Sequence, residues 1–122
     1  MDILKTIILL PILDAVYLKL ISAKVNKQIV DIQGSEIKFR LLPAIVCYIA
    51  LIFGLYYFVI NTNETREKKI LNAFLLGLVI YAVYETTNYA ILDKWTSEMV
   101  IIDTIWGGIL FALTTFLVTI KL

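Results

Sequence analysis

Long apolar runs and short polar interruptions alternate along the 122 residues of this chain. Four runs, near residues 3–22, 41–60, 70–92 and 99–120, are long enough to cross a bilayer, which takes about 20 helical residues. The second, LLPAIVCYIALIFGLYYFVI, holds no charge, whereas the first is interrupted by Pro11 and Asp14. The apolar part of that first run is too long for a signal peptide, and no small-x-small cleavage site follows it, so it reads as a permanent helix. The pattern predicts an all-α integral membrane four-helix bundle, antiparallel and up-and-down, making one transmembrane domain of residues 1–122.

The polar stretches differ in length. Residues 23–40 form the one sizeable polar loop, where QIVDIQ allows a short strand or interfacial turn and Gly34-Ser35 marks a reversal. NTNETREKK, residues 61–69, is a short turn containing a helix start: Thr62 or Asn63 can cap it, and Glu64 suits a first turn. DKWTSE, residues 93–98, is tight enough to make the third and fourth helices antiparallel neighbours, and Ser97 can cap the fourth. Four crossings place both ends of the chain on one side. Lys19, Lys24, Lys27, Lys38, Arg40 and Lys94 on one side nearly balance Lys5, Arg66, Lys68, Lys69 and Lys121 on the other. The positive-inside rule therefore assigns no orientation. Three small-xxx-small pairs, Ala50/Gly54, Ala73/Gly77 and Gly108/Ala112, predict close helix packing, with a homo-oligomer face as the second reading.

Composition agrees with the membrane reading and removes several functions. The chain is 61% hydrophobic and 17% charged, with a mean hydropathy of +0.89. Soluble domains average about 45–50% apolar and about 25% charged. The bilayer is thus the first partner. A net charge of +1 with no basic tract excludes nucleic acid as a partner. With no His and the single Cys47, an intrachain disulfide is impossible and any metal site needs oxygen ligands. No cofactor is expected. Ser/His and Cys/His nucleophile sets are missing too.

The informative residues are acids inside the spans. At 1.5 Å per residue, Asp14 lies roughly 12 Å, Glu85 roughly 10 Å and Asp103 roughly 6 Å below the surface that the 23–40 and 93–98 segments share. Tyr81, Glu85 and Asn88 recur at i, i+4 and i+7 on one helical face. Asp103, Trp106 and Gly107 do the same on the last helix, and Asp14 with Tyr17 repeats the D-x-x-aromatic unit on the first. A buried phenol or indole needs an acceptor, and the carboxylate one turn away is a plausible one. No Arg falls within a span; Lys5 is near the opposite surface, and Lys19 snorkels to the headgroups or reaches Asp14 or Asp103. The acids are then neutralised by protonation, by sharing protons, or by a bound cation. Alternatively they only hold helices in register through hydrogen bonds.

These residues resemble a family of small membrane proteins catalogued as domain of unknown function 2177. Its pattern is D-x-x-W-L on the first helix, P-A…Y opening the second, then Y-x-x-Y-D-x-T-N…W followed by D-x-x-W-G. Here these read Asp14 with Tyr17-Leu18; Pro43-Ala44 with Tyr48; Tyr81, Tyr84-Glu85, Thr87-Asn88 and Trp95; and Asp103 with Trp106-Gly107. Tyr17 stands where the family has Trp, and Glu85 where it has Asp. The resemblance covers nearly the whole chain, implies that the acid–aromatic–amide set is the family's hallmark, and brings no activity with it.

Three functions compete. Asp14, Tyr17, Tyr81, Glu85, Asn88, Asp103 and Trp106 suit binding or translocation of protons or a small cation, with Thr86 and Thr87 adding neutral oxygens and an oligomer supplying any pore. A structural or scaffold role is the alternative. An intramembrane acid–base enzyme using Asp14 and Asp103 is the weakest, because the glycine-aspartate signature of intramembrane aspartic proteases is missing. The Ile, Lys and Asn content also matches translation of an AT-rich genome, viral or parasitic.

Overall fold

The computed structural model describes residues 2–35 and 40–120. Lys38 and Lys121, and the part of the expected polar loop at 36–39, lie outside the described residues. The elements are helices α1 (Asp2–Gln33), α2 (Leu41–Leu55, continued by a π-helical turn at Tyr56–Ile60), α3 (Arg66–Ile91) and α4 (Ser97–Val118). Among the described residues there is no strand. Each of the four helical stretches is long and apolar enough to cross a membrane.

The first helix is longer than its apolar run. It continues through residues 23–33, where the sequence suggested a polar loop and a possible strand at QIVDIQ. Ile21, Val25, Gln28, Ile29 and Ile32 are less exposed than their neighbours, and they recur at helical spacing. That stripe, hidden by the lysines between its members, keeps the chain helical. At 32 residues, α1 is about 48 Å long, well beyond the roughly 30 Å of bilayer hydrocarbon. Gly34 ends it with a φ of +74°, and its N–H donates to Val30 O at 2.8 Å; that left-handed conformation is one glycine adopts freely.

The helix starts also differ from expectation. Thr65, not Thr62 or Asn63, caps α3, its hydroxyl accepting from Lys68 N at 3.2 Å. Thr96, not Ser97, caps α4 and accepts from Met99 N at 3.2 Å. Thr62 instead donates to Val59 O. Each polar turn offers several adjacent cap formers, and only backbone geometry chooses among them. Pro43 falls in the first turn of α2, where its missing N–H costs nothing.

Helices α3 and α4 form the tightest pair. A Cβ added to Gly77 would come within 2.1 Å of Gly107 O and 3.1 Å of Gly108 Cα. Gly107 in turn receives the Tyr81 ring, and Gly108 receives Phe74 and Leu78. At one end Arg66 clamps the pair, donating to Thr119 Oγ1 at 3.1 Å and Phe116 O at 2.8 Å, with its guanidinium 4.4 Å from the Phe116 ring centroid. The second of these bonds satisfies a carbonyl that the last turn of α4 leaves open. Leu10, Leu55, Val59, Ala73, Leu110 and Phe111 form the apolar core, while Leu20, Leu42 and Ile91 are among the large apolar side chains left outside. In a bilayer that outer surface meets lipid.

The small-residue pairs divide, and two of the three depart from expectation. Ala73 and Gly77 are both buried, as the spacing predicts. Ala50 is exposed and nothing lies within 4 Å of a Cβ placed on Gly54, so Ala50/Gly54 is not a packing seam within the bundle. Ala112, contrary to expectation, is only half-buried and does not share the seam with Gly108. The buried stripe of α4 is centred on Phe111 and Val118 and flanked by Gly107, Thr114 and Thr115. At about 100° per residue Ala112 falls on the margin of that stripe, and the adjacent glycines 107 and 108 make the close approach in its place.

Two measurements test this arrangement. Asp2, Lys5 and residues 64–66 gather with Val118 and Thr119 around one surface depression, while Lys24, Lys27 and Asp31 gather with Lys94 and Thr96 around another. We therefore expect alternating crossings. In a Cys47→Ala background, single cysteines at Asp2 and Glu64 should label from one side and those at Ser35 and Lys94 from the other; labelling of positions 2 and 35 from one side refutes it. Second, Gly77→Ala should lower thermal stability by about 1–3 kcal/mol through overpacking, whereas Gly54→Ala should be neutral or stabilising. A neutral Gly77→Ala would mean the backbones are not in contact.

Candidate functional site

A polar centre occupies the half of the bundle nearer the 92–96 turn, and its acids are held by neutral donors. Trp106 Nε1 on α4 donates to Asp14 Oδ1 on α1 at 2.9 Å. Tyr17 OH on α1 donates to Asp103 Oδ1 on α4 at 2.9 Å. The two rings between them stack, with centroids 4.4 Å apart and planes 4° from parallel. Each D-x-x-aromatic unit thus gives its donor to the other unit's acid. The sequence suggested acceptors one turn away on the same helix; the side chains cross to the neighbouring helix instead. The stacked pair lies between α1 and α4, and each ring reaches the acid on the opposite helix.

The remaining partners complete the centre. Tyr48 on α2 donates to Asp14 Oδ2, and Trp95 Nε1 in the turn donates to Glu85 Oε2 at 3.1 Å. Asp14 is 7% exposed and Glu85 0%. The Glu85 and Asp103 carboxyls lie within electrostatic reach of one another. Two ionised carboxylates repel one another, so a proton or cation between them would lower the cost of burying both. Glu85 Oε1 has no donor among the described residues.

The structure brings together Asp14, Tyr17, Glu85, Asp103 and Trp106. Tyr81 contributes its ring, packed on Gly107, and lies within electrostatic reach of Asp14 and Asp103. Asn88 lies beside Tyr84 on α3, and among the described residues no hydrogen bond joins it to an acid. Thr86 and Thr87 are exposed, and Thr86 donates to Ala82 O at 2.6 Å, so neither adds an oxygen to the centre. Lys19 is exposed. Tyr48 and Trp95, quoted above only as part of a resemblance, prove to be ligands of the acids. Their signal was the excess of carboxylate oxygens over donors.

Beside the acids lies a cavity of about 430 Å³. Asp14, Glu85 and Asp103 line it together with Leu18, Ile21, Val25, Leu51, Ile80 and Met99, and no Lys or Arg is among its lining residues. Gln28, 7% exposed, stands at its outer end. The Gln28 Oε1 accepts from Thr96 N at 3.0 Å and from Thr96 Oγ1 at 2.8 Å, and nearby Lys24 pairs with Glu98. These bonds pin the overhang of α1 to the 92–96 turn. Among the described residues, no group of three or more His, Cys, Asp and Glu side chains converges as a metal site.

Four membrane-length helices around a buried acid centre define a small integral membrane protein. The chain belongs to the family described as predicted membrane protein (DUF2177), whose model matches residues 1–120. Neither the curated proteins nor the solved structures compared with it contain a match.

The crossed bonds can be tested by coupling. An interhelical hydrogen bond in a membrane is worth about 0.6 kcal/mol and at most about 1.7. A double-mutant cycle of Tyr17→Phe with Asp103→Asn should show coupling in that range, whereas Tyr17→Phe with Asp14→Asn, one turn away, should be nearly additive. The reverse outcome would restore bonding within single helices.

Proposed function

We propose that this protein binds and releases a proton, or another small cation, at the Glu85–Asp103 pair. The observation that carries this reading is Glu85 itself: fully buried, facing a second acid, with one oxygen lacking a donor. A charge in hydrocarbon is costly unless paired or neutralised, so ionisable groups there mark sites by default. The charged and titratable groups facing the pair are Asp14 and Tyr17 from α1, Tyr48 and Cys47 from α2, and Tyr81 and Tyr84 from α3. None of them is basic. The lack of a converging metal cage among the described residues favours the proton over a metal ion. Exchange with solution runs by way of the cavity and the 92–96 turn, and movement across the membrane requires more than one copy of the chain.

A second reading has its own support. Asp14 is bonded to α2 and α4 at once, and Asp103 ties α4 back to α1. Such bonds suit a scaffold whose acids fix helix register.

Liposomes separate the two. Wild-type protein should give a flux or uptake signal that depends on pH between about 5 and 8, and Glu85→Gln and Asp103→Asn should abolish it while staying folded. Loss of stability in both variants, with no such signal from wild type for protons or common cations, favours the scaffold.

A further inference from the structure

Glu85 is fully buried, so neither of its oxygens opens into the cavity beside it. On the side of the 92–96 turn it meets Trp95, whose Nε1 donates to Glu85 Oε2 at 3.1 Å. The indole in turn meets Tyr84 edge to face, with centroids 6.5 Å apart and planes at 90°. We infer that Trp95 is a hinged cap on Glu85, latched shut by the α1 overhang through Gln28, so that the acid meets water only when the turn swings out. The inference rests on the preceding reading only in naming what crosses the opened cap, a proton or small cation.

The latch is one oxygen. Gln28 Oε1 accepts from Thr96 N at 3.0 Å and from Thr96 Oγ1 at 2.8 Å, and the same hydroxyl accepts from Met99 N to cap α4. Trp95 immediately precedes Thr96, so holding Thr96 against α1 fixes where the indole stands. The Lys24–Glu98 pair crosses the same seam, but its side chains are 59% and 64% exposed. An ion pair that open to water contributes little. Gln28, by contrast, is buried.

Without that latch the turn is loosely tied. Residues 92–96 lie between α3 and α4, with Leu92 N–H on Asn88 O and Trp95 N–H on Leu92 O as backbone bonds. Asp93 and Lys94 at its tip are exposed. Segments with few buried contacts open locally, at a fraction of the cost of global unfolding. Remove the Gln28 acceptor, and the Thr96 N–H lacks a partner until it moves outward to water. Trp95 follows it and uncovers Glu85.

Access is read with a water-soluble carbodiimide and glycine ethyl ester on the protein in phosphatidylcholine nanodiscs, mass spectrometry following amide formation at each carboxyl. In wild type the exposed Glu98 should label quickly and Glu85 slowly. Gln28→Leu keeps bulk and removes the acceptor; it should speed Glu85 labelling about tenfold, as expected for the loss of one or two hydrogen bonds. Thr96→Ser keeps both donors to Gln28 and should stay near the wild-type rate, which a latch made only of packing does not predict. Trp95→Ala removes the cap itself and should exceed Gln28→Leu, with Trp95→Phe, ring kept and bond lost, falling between wild type and Trp95→Ala. Asp14, buried beneath Tyr48 and Trp106, should stay slow throughout. Glu85 labelling unmoved by Gln28→Leu and Trp95→Ala overturns the inference. So does Asp14 labelling that rises in step with Glu85, because the whole bundle has then loosened. A capped Glu85 in a protein without a proton signal refutes only the proton reading; a proton signal with Glu85 labelling unmoved in every variant refutes only the cap.

Discussion

Everything in the polar half of the bundle depends on how three carboxylates are kept out of hydrocarbon without a basic residue. The solution is the exchange between α1 and α4, in which Trp106 serves Asp14 and Tyr17 serves Asp103 across a stacked pair of rings. A neutral donor costs less to bury than a lysine or arginine, because only the acid's own desolvation must be offset. It also leaves the net charge of the centre unresolved. Asp14 and Asp103 are bonded by such donors, while one oxygen of Glu85 has none among the described residues. Tyr48 and Trp95 extend the same device to α2 and the turn, so each helix reaches the centre through an aromatic hydrogen bond or an acid.

Much of this was legible in the sequence, and the failures have physical causes. Four spans, the placing of Asp14, Glu85 and Asp103 in one half of the bundle, and the shared face of Tyr81 with Glu85 follow from rise and periodicity alone. Which acid an aromatic serves does not, since Tyr17 is one turn from Asp14 in sequence yet bonds Asp103 on the neighbouring helix. Asn88 has the right phase, yet among the described residues no hydrogen bond joins it to an acid. Ala112 has the right spacing from Gly108 but falls on the margin of the buried stripe, because spacing alone does not say where that stripe is centred. The overhang of α1 escapes notice because lysines at 24 and 27 mask an apolar stripe that shows only when counted at helical spacing. Caps failed for a different reason. Thr62, Asn63 and Thr65 are chemically alike, and position, not residue type, selects one of them.

The two halves of the bundle are built on different terms. Helices α3 and α4 meet backbone to backbone, with Arg66 closing one end and the short 92–96 turn the other. Between α1 and α2, by contrast, the Tyr48–Asp14 bond carries much of the association in the polar half, and the space beside it stays open as the cavity. The overhang of α1 roofs that space by bonding Gln28 to Thr96. Packing is densest where no chemistry is required and loosest beside the acids.

The approach of Gly77 to Gly107 sets a mechanical limit on the centre. With a carbonyl oxygen seated where a Cβ would otherwise be, α3 and α4 can neither slide past one another by a turn nor roll without separating. Glu85 and Asp103 belong one to each of these helices. The gap between them therefore behaves like the jaws of a caliper locked at one setting.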